Sequence, residues 1–380
     1  MEPAKKTVFF TGLNELRAVA ALDVIFHHIE VFKHSDHIGS LFNSKYSTYF
    51  IENLGENGVY LFFVLSGFLI TYLLISEKEK NNTINLKKFY LRRILRIWPL
   101  YYLIVLISFT LIPLFAHSFT IFSITPNWYD KIMDPSNYSL KTILLYILFL
   151  PNLALKTGKI VVGASQSWSV GVEEQFYILW PLIVSFFRKN LLVWVFGLIL
   201  FTFIITNVKF PQSLLGHITS IIPFEFMAIG GIGGYYYSKY PEIITKYTKS
   251  KFIYLTTALL ICFLISTPIF KHYIQSLISG FLFLLLIIIS INQSNRSVFT
   301  NRSFSFLGNI SYGIYMYHPI VMFFIFPISY KLLRLCNNIY LFNIFIYLLI
   351  PSLTIFISYL SFEYMEKYFI KIKDTKFKTL

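Results

Sequence analysis

The sequence has few charged residues. Asp, Glu, Lys and Arg make up 13% of its 380 positions, about half of the roughly 25% that is usual in a soluble domain. No polar block is long enough to form a soluble domain of its own. So few charges cannot cover the surface of a water-soluble protein of this length. We therefore expect a single polytopic membrane domain over 1–380, with its core at 10–365 and a basic cytoplasmic tail at 366–380.

Cysteine is also scarce, and internal repeats are absent from the sequence. The two cysteines, Cys262 and Cys336, lie far apart and lack metal-ligand spacing, so we expect free thiols and no metal site. The first apolar stretch carries Arg17, Asp23 and two histidines, which is unlike a cleaved signal peptide. The missing repeat counts against many transporter architectures.

Long apolar runs are abundant. Hydrophobic residues make up 56% of the chain, and the mean hydropathy is +0.63. A membrane-spanning helix needs about 20 mostly apolar residues. The segments that fit are 14–33, 57–76, 97–116, 168–187, 191–208, 215–237, 252–270, 272–292, 305–327 and 341–361. We therefore predict an all-α integral membrane protein with about ten transmembrane helices. A shorter apolar stretch at 140–155, interrupted by Pro151, favours a re-entrant or interfacial helix.

The net charge of +15 comes from basic residues in the short loops between these runs. Loop positions indicate topogenic charge facing anionic lipid rather than nucleic-acid binding. If 140–155 does not cross, most of the 33 lysines and arginines fall on one side, with both termini cytoplasmic. If 140–155 crosses, that bias is lost. The positive-inside rule therefore favours ten crossings.

The first apolar run carries charges that membrane helices usually avoid. Arg17 and His28 are eleven positions apart, which places them on one helix face and about 16 Å apart along the axis. Asp23 and His27 form an i,i+4 pair on another face. A face with a cation at one end and an imidazole deeper in suits an extended anionic ligand whose reactive end must reach a base. In the structural alternative, Arg17 extends to lipid phosphates and His28 bonds a backbone carbonyl.

A basic cluster stands at the entry of the third run, in FYLRRILRIWPLYYL. Arg93 and Arg96 are i,i+3 neighbours. Guanidinium groups bind phosphate in bidentate fashion, so this pair could hold a phosphorylated cofactor. The alternative is a juxtamembrane basic anchor.

Two further segments carry polar residues of interest. Glu173 and Glu174 open the run after 168, where a carboxylate can cap a helix, orient a histidine or take a proton. His318 precedes Pro319, which predicts an irregular backbone at this position. Its alternative is a packing residue among aromatic side chains.

Five segments together resemble the acyltransferase type 3 family of bacterial membrane O-acyltransferases, in the family order. They are LRAVAALDVIFHH with Arg17 and His28, GVYLFFVLSGFLIT with Ser66, Gly67 and Phe68, FYLRRILRIWPLYY with Arg93 and Arg96, SWSVGVEEQFYILWP with Trp168, Ser169, Glu173, Phe176 and Tyr177, and ISYGIYMYHP with Ser311, Tyr312, Tyr315 and His318. The chain departs from the family at Asp23 and Gly171, and 191–292 matches in hydropathy alone.

The resemblance implies transfer of an acyl group, commonly acetyl, from cytoplasmic acyl-coenzyme A to a hydroxyl of a cell-surface glycan or its lipid-linked precursor. The site would lie in a bacterial cytoplasmic membrane, without metal or nucleic acid. Arg17, Arg93 and Arg96 would hold the coenzyme phosphates. His28 and Glu173 would be catalytic. The supporting residues would be Ser66, Glu174 and His318.

Several alternatives stay open at this stage. His28 could deprotonate the acceptor hydroxyl, with Glu173 steadying the imidazolium, or it could itself become acylated. A transporter or flippase of a lipid-linked sugar is the main rival function. A glycan polymerase or a structural membrane subunit ranks lower, because the loops are modest and a structural subunit has no need of the Arg17–His28 face.

Overall fold

A computed structural model describes residues 10, 12–42, 44–119, 129, 132, 134–186, 191–207, 222–292, 302–336 and 338–378. Within these ranges the chain is helical and contains no β-strand, which confirms the predicted all-α class. The first part of the predicted span 215–237 lies outside the described residues.

The helices are labelled in chain order. They are α1 (Leu13–Ser35), α2 (Lys45–Asn81), α3 (Leu86–Phe119), α4 (Leu140–Ile147), α5 (Pro151–Lys156), α6 (Trp168–Phe186), α7 (Leu191–Asn207), α8 (Phe224–Lys239), α9 (Pro241–Tyr247), α10 (Lys251–Ser266), α11 (His272–Asn292), α12 (Arg302–Asn309), α13 (Ser311–Cys336), α14 (Ile339–Ser361) and α15 (Lys367–Lys378). Short 3₁₀ turns lie at Pro135–Tyr138 and Ser165–Ser167, and a π turn at Phe362–Glu366 joins α14 to α15.

Five helical segments in the described part of the chain are long and apolar enough to cross a membrane. They are Lys45–Asn81, Leu86–Ala116, His272–Asn292, Ser311–Lys331 and Ile339–Ile372. A sixth follows if α9 and α10, which meet at a bend of 79°, form one broken span. The other predicted spans are also largely helical where described, but they are shorter or less apolar. The chain is therefore a multi-pass membrane protein, while ten crossings and cytoplasmic termini remain predictions.

The segment 140–155 is a broken helix, as its sequence predicts. Its first piece, α4, has eight residues and is about 12 Å long, far short of the roughly 30 Å hydrocarbon core. The break follows Phe149, which has φ +58°, and Pro151 then starts α5. The Phe149 ring stacks on Tyr101 of α3 at 4.1 Å between centroids, and Tyr101 Oη donates to the Tyr146 carbonyl at 2.7 Å. The segment thus packs against α3, and its first helix is too short to span a bilayer by itself.

Close packing of α2 against α8 fixes the position of Ser66. A Cβ on Gly67 would lie 1.9 Å from the Met227 carbonyl oxygen, and one on Gly230 would lie 2.1 Å from the Val64 carbonyl oxygen. Lipid offers no hydrophobic driving force between helices, so small residues that let backbones approach drive this packing.

Helix α1 packs with its apolar face against α13. Ala21, Ile25 and Ile29 of α1 are fully buried in one cluster with Ile314 and Met322 of α13. This packing places His28, the residue before Ile29, beside the first half of α13.

Candidate active site

His28 has one ring nitrogen fixed and the other open. Its Nδ1 lies 2.8 Å from the carbonyl oxygen of Val24, one turn earlier in α1. A nitrogen so close to a carbonyl must carry the proton, so in the neutral ring Nε2 holds a lone pair. No group in the described ranges hydrogen-bonds to that Nε2. The ring is therefore set up as an acceptor of a proton or as a nucleophile.

His318 of α13 lies beside His28, with ring centroids 4.9 Å apart. Its Nδ1 lies 2.7 Å from the Tyr315 carbonyl, so its Nε2 is likewise the acceptor. That Nε2 is buried and has no partner among the described residues. Sequence spacing gave no hint of this imidazole pair, because 290 residues separate its members.

Pro319 explains why His318 takes this orientation. The backbone at His318 is helical within α13, so the predicted irregularity is wrong. Proline has no N–H to donate to the carbonyl of residue i−4, which here is Tyr315. The His318 ring supplies the missing donor to that same carbonyl.

His27 contacts α2 through its ring and serves packing. Its Nδ1 bonds the Ile51 carbonyl of α2 at 2.9 Å. Its ring fills the space beside Gly55, where a Cβ would lie 2.4 Å from the ring. The bond to Ile51 takes the place of the predicted pairing with Asp23, and no ion pair between His27 and Asp23 exists in the described structure.

Three arginines gather at one end of the bundle, here called the basic end. Arg17 of α1 interacts electrostatically with Arg93 and Arg96 of α3. The Arg93 guanidinium lies over the rings of Tyr177 and Phe89, 5.2 and 5.6 Å from their centroids. Arg96 is solvent-exposed and Arg93 half-buried. The predicted cluster is thus assembled from two helices that are distant in sequence.

None of these arginines forms an ion pair with a carboxylate in the part of the chain that the structure describes. The ion pairs found there are Lys33–Glu30, His272–Glu56 and Lys367–Glu363. Arg17 is instead held by the Asn14 amide oxygen at 3.2 Å, and Asn14 by Asn309 at 2.8 Å. Three like charges close together without ion-pair partners favour binding of a polyanion.

Glu173 lies in a hydrogen-bonded group with Ser66 and Tyr177. Its Oε1 accepts hydrogen bonds from Ser66 Oγ and Tyr177 Oη, and Tyr177 Oη lies 3.3 Å from Ser66 Oγ. Glu173 also interacts electrostatically with Arg17 and Arg96. The structure therefore places Glu173 with the arginines.

No hydrogen bond joins Glu173 to His28 in the described structure, contrary to the suggested pairing. Helices α1 and α2 run in opposite directions, with Gly55 beside His27 and Gly58 beside Ala20. Ser66 lies eight residues beyond Gly58, about 12 Å further toward the basic end. The Ser66–Glu173 contact is consequently well separated from His28 along the bundle, and the neighbour of His28 is His318.

Glu174 faces the broken segment. Its Oε2 accepts from Trp98 Nε1 at 3.3 Å, while its buried Oε1 has no partner among the described residues. The next residue, Gln175, donates to the Phe149 carbonyl and to Asn152, each at 3.0 Å. Glu174 thus belongs to the α3–α6 contact around the break.

Sequence reasoning missed Gln166 and Glu366. Gln166 is 5% exposed and bonds the backbone of α13 at Met316; no pattern pointed to it. Glu366 falls at the start of the predicted tail, yet it is buried, accepts from Ser361 Oγ at 3.3 Å and interacts electrostatically with Arg96. The π turn that carries Glu366 has no sequence signature that we could have used.

Metal-binding side chains do not cluster in the described ranges: no group of three or more His, Cys, Asp or Glu is placed to hold an ion.

Comparison with known proteins places these residues in a family. The family model described as "Acyltransferase domain" matches residues 10–363, a range that includes every candidate residue named in the sequence. No solved structure matches the chain significantly.

Two named relatives match almost the whole chain. "Peptidoglycan O-acetyltransferase OatA" of Listeria monocytogenes is 24% identical over 94% of this chain and 55% of its own length. "Putative O-acetyltransferase SACOL0978" of Staphylococcus aureus is 25% identical over 97% of this chain and 58% of its own length. An "Uncharacterized protein" of Haemophilus influenzae is 31% identical over 42% of this chain and 73% of its own length.

The chain spans little more than half the length of the two named relatives. The family model, in contrast, covers nearly all of this chain, including all five motifs. The chain therefore belongs to the acyltransferase type 3 family, and two of its relatives carry the names of O-acetyltransferases.

Proposed function

We propose that this protein transfers an acyl group, most simply acetyl, from acyl-coenzyme A to a hydroxyl of a cell-envelope glycan or its lipid-linked precursor. One observation carries the proposal. Arg17 and His28 lie on one face of α1, about 16 Å apart along the helix axis. Arg17 is beside two further arginines that have no carboxylate ion pair in the described structure. His28 has an Nε2 without a hydrogen-bond partner there.

The donor would bind in extended form. Its phosphates would lie among Arg17, Arg93 and Arg96, because guanidinium groups form charge-assisted, bidentate bonds with phosphate. Its pantetheine arm would run along α1 and bring the thioester to His28. The donor would enter from the cytoplasm, the side on which the positive-inside rule puts the basic end.

In direct transfer, His28 Nε2 takes the proton of the acceptor hydroxyl while the hydroxyl oxygen attacks the thioester carbon. The new C–O bond forms, the C–S bond breaks, and the leaving thiolate takes the proton from the imidazolium. The Val24 carbonyl holds Nδ1–H throughout, which keeps the ring in one tautomer.

Transfer through an acyl-histidine is the second route. His28 Nε2 attacks the thioester carbon and displaces coenzyme A, and the hydroxyl then attacks the acyl-imidazole. His318, whose Nε2 is also unprotonated, lies close enough to take the hydroxyl proton in that second step.

Glu173 takes a different role from the one expected from sequence. Bonded to Ser66 and Tyr177 and near Arg17, it would position the arginine face of the donor site. Glu174 would support the same side of the donor site through its hydrogen bond from Trp98.

The other parts of the proposal rest on family and sequence. They are a single membrane domain over 1–380, location in a bacterial cytoplasmic membrane, and a glycan acceptor. The name of the Listeria relative refers to peptidoglycan, which makes peptidoglycan fragments the first acceptor to test.

The test is acetyl-coenzyme A turnover by the purified protein in nanodiscs with an envelope glycan extract. We expect His28→Gln to lower the release of free coenzyme A at least about a hundredfold. His27→Gln is the matched control, because His27 bonds the Ile51 backbone on another face, and it should keep most of the activity. A wild-type protein that neither binds coenzyme A nor releases it would contradict the proposal and favour transport of a lipid-linked sugar.

A further inference from the structure

Two buried hydrogen-bond acceptors at the contact between Ser165–Ser167 and α13 have no partner among the described residues. They are Nε2 of His318 and Oε1 of Gln166. The side chains are 0% and 5% exposed. A buried polar atom left unpaired costs about 1–3 kcal/mol, so such atoms usually mark a place where a ligand or water binds.

The orientation of Gln166 follows from its neighbours. Its Nε2 donates to the carbonyls of Gly163 and Met316, at 2.7 and 2.8 Å. Two carbonyls require the NH₂ end of the amide on that side, so the unpaired atom is the oxygen. His318, two residues after Met316, is fixed as an acceptor by its bond to the Tyr315 carbonyl.

The Gln166 backbone is held just as firmly. Its carbonyl accepts from Tyr315 Oη at 2.8 Å, and Tyr315 Oη also lies 2.7 Å from Ser169 Oγ. The Tyr315 ring lies 5.8 Å from that of His318. One rigid framework thus carries both unpaired acceptors, and it adjoins the imidazole of His28.

The two unpaired acceptors, together with Nε2 of His28 on the ring beside His318, suit a ligand that brings several O–H or N–H donors. The thioester end of the donor offers a carbonyl and a sulfur, which accept. A sugar offers hydroxyl and acetamido N–H groups on adjacent carbons. We propose that Gln166 Oε1 and His318 Nε2 bind donor groups of the acceptor sugar beside the hydroxyl that His28 activates. This inference rests on the proposed function, and it locates the acceptor site at the contact between Ser165–Ser167 and α13.

The test compares acceptor use with donor affinity. Gln166→Met keeps the length of the side chain and removes both polar ends. The control is Gln275→Met, at a glutamine that is 7% exposed. The Gln275 amide is paired at both ends, with Nε2 on the Leu264 carbonyl at 2.6 Å and Oε1 on the Ile269 and Phe270 N–H groups at 3.0 and 3.1 Å.

Each variant is expressed in the bacterium of origin with its own copy deleted. Isolated membranes, which contain the natural acceptor, receive radiolabelled acetyl-coenzyme A. Base-labile label in the envelope glycan is measured per unit of protein, and coenzyme A affinity is measured by calorimetry on the purified variant. We expect Gln166→Met to lower the ratio of glycan label to donor affinity about tenfold, and Gln275→Met to keep the ratio.

His318→Asn is a second variant, used also if Gln166→Met does not accumulate. The asparagine amide can still donate to the Tyr315 carbonyl but lacks the distal acceptor, so the same loss is expected. An equal ratio in wild type and both variants would overturn the inference. A weaker coenzyme A affinity with proportionate glycan label would also overturn it and assign these atoms to the pantetheine amides. If the wild type itself transfers no label, the proposed function fails instead.

Discussion

The imidazoles of His28 and His318 lie 4.9 Å apart, and each donates its Nδ1–H to a backbone carbonyl of its own helix. Two neighbouring helices thus present the same tautomer with the same nitrogen left unprotonated. Each neutral ring can therefore accept a proton, or attack an electrophilic carbon, through the same nitrogen.

The tautomers can be observed directly. Nitrogen NMR of the protein labelled with ¹⁵N-histidine in nanodiscs should show both rings neutral at pH 7 with the proton on Nδ1. Most neutral histidines in water favour the other tautomer, so the signals are distinctive. Variants His28→Gln and His318→Asn assign them. A proton on Nε2 of His28 would contradict its role as base or nucleophile.

The arginines at the basic end should control donor affinity. Loss of a charge-assisted bond costs about 1.5–3 kcal/mol, so Arg93→Gln and Arg96→Gln should each weaken coenzyme A binding about tenfold or more. Arg92→Gln, at an exposed neighbour, is the control and should change binding less. Calorimetry with coenzyme A and dephospho-coenzyme A checks this. Dephospho-coenzyme A lacks the 3′-phosphate. If Arg96→Gln weakens the binding of both compounds by the same factor, Arg96 does not contact that phosphate.

Kinetics can distinguish the two roles considered for Glu173, a part of the donor site or the partner of His28. As part of the donor site, Glu173→Gln should raise KM for acetyl-coenzyme A with a smaller effect on kcat. Ser66→Ala and Tyr177→Phe should each interact non-additively with it, because the three side chains share hydrogen bonds. A fall in kcat alone, with KM unchanged, would restore Glu173 as the partner of His28.

Packing of α2 against α8 should tolerate no side chain at Gly67. In Gly67→Ala the new Cβ would lie 1.9 Å from a backbone oxygen, so the helices must separate. We expect a loss of stability of about 1–3 kcal/mol or more. Gly197→Ala is the control, since its Cβ would meet nothing within 4 Å. The fraction of monodisperse protein left after heating in detergent measures both. Equal survival of the two variants would contradict the packing.

The sequence predicted positions along a helix better than depth across the bundle. The span 272–292 coincides with α11, because a uniform apolar run leaves one way to place a membrane helix. The common face of Arg17 and His28 follows from helical period alone. The neighbour of His28, His318, could not be predicted in this way. Which residues lie side by side depends on how far α1, α2 and α13 are shifted along one another. That shift is set by Gly55, Gly58 and the packing of Ile25, which hydropathy does not encode.

Local features that depend on a single side chain were also hard to predict from the sequence. Pro319 was expected to disturb the backbone, whereas the His318 ring replaces the lost hydrogen bond and the helix continues. Gln166 gave no signal, since a single buried amide between two turns resembles any loop residue. The interruption of 140–155 was predicted at Pro151, because proline breaks a helix, and the structure places the break just before it, at Phe149.

The π turn at Phe362–Glu366 changes the direction in which the side chains after it point. A π turn holds one residue more than the α-helical turn it replaces, so every side chain after it is rotated by about 100° relative to an uninterrupted helix. Without that extra residue Glu366 would leave the neighbourhood of Arg96, although composition and hydropathy would barely change. A single-residue deletion in this turn would thus alter the charge balance of the basic end from more than 260 positions away along the chain.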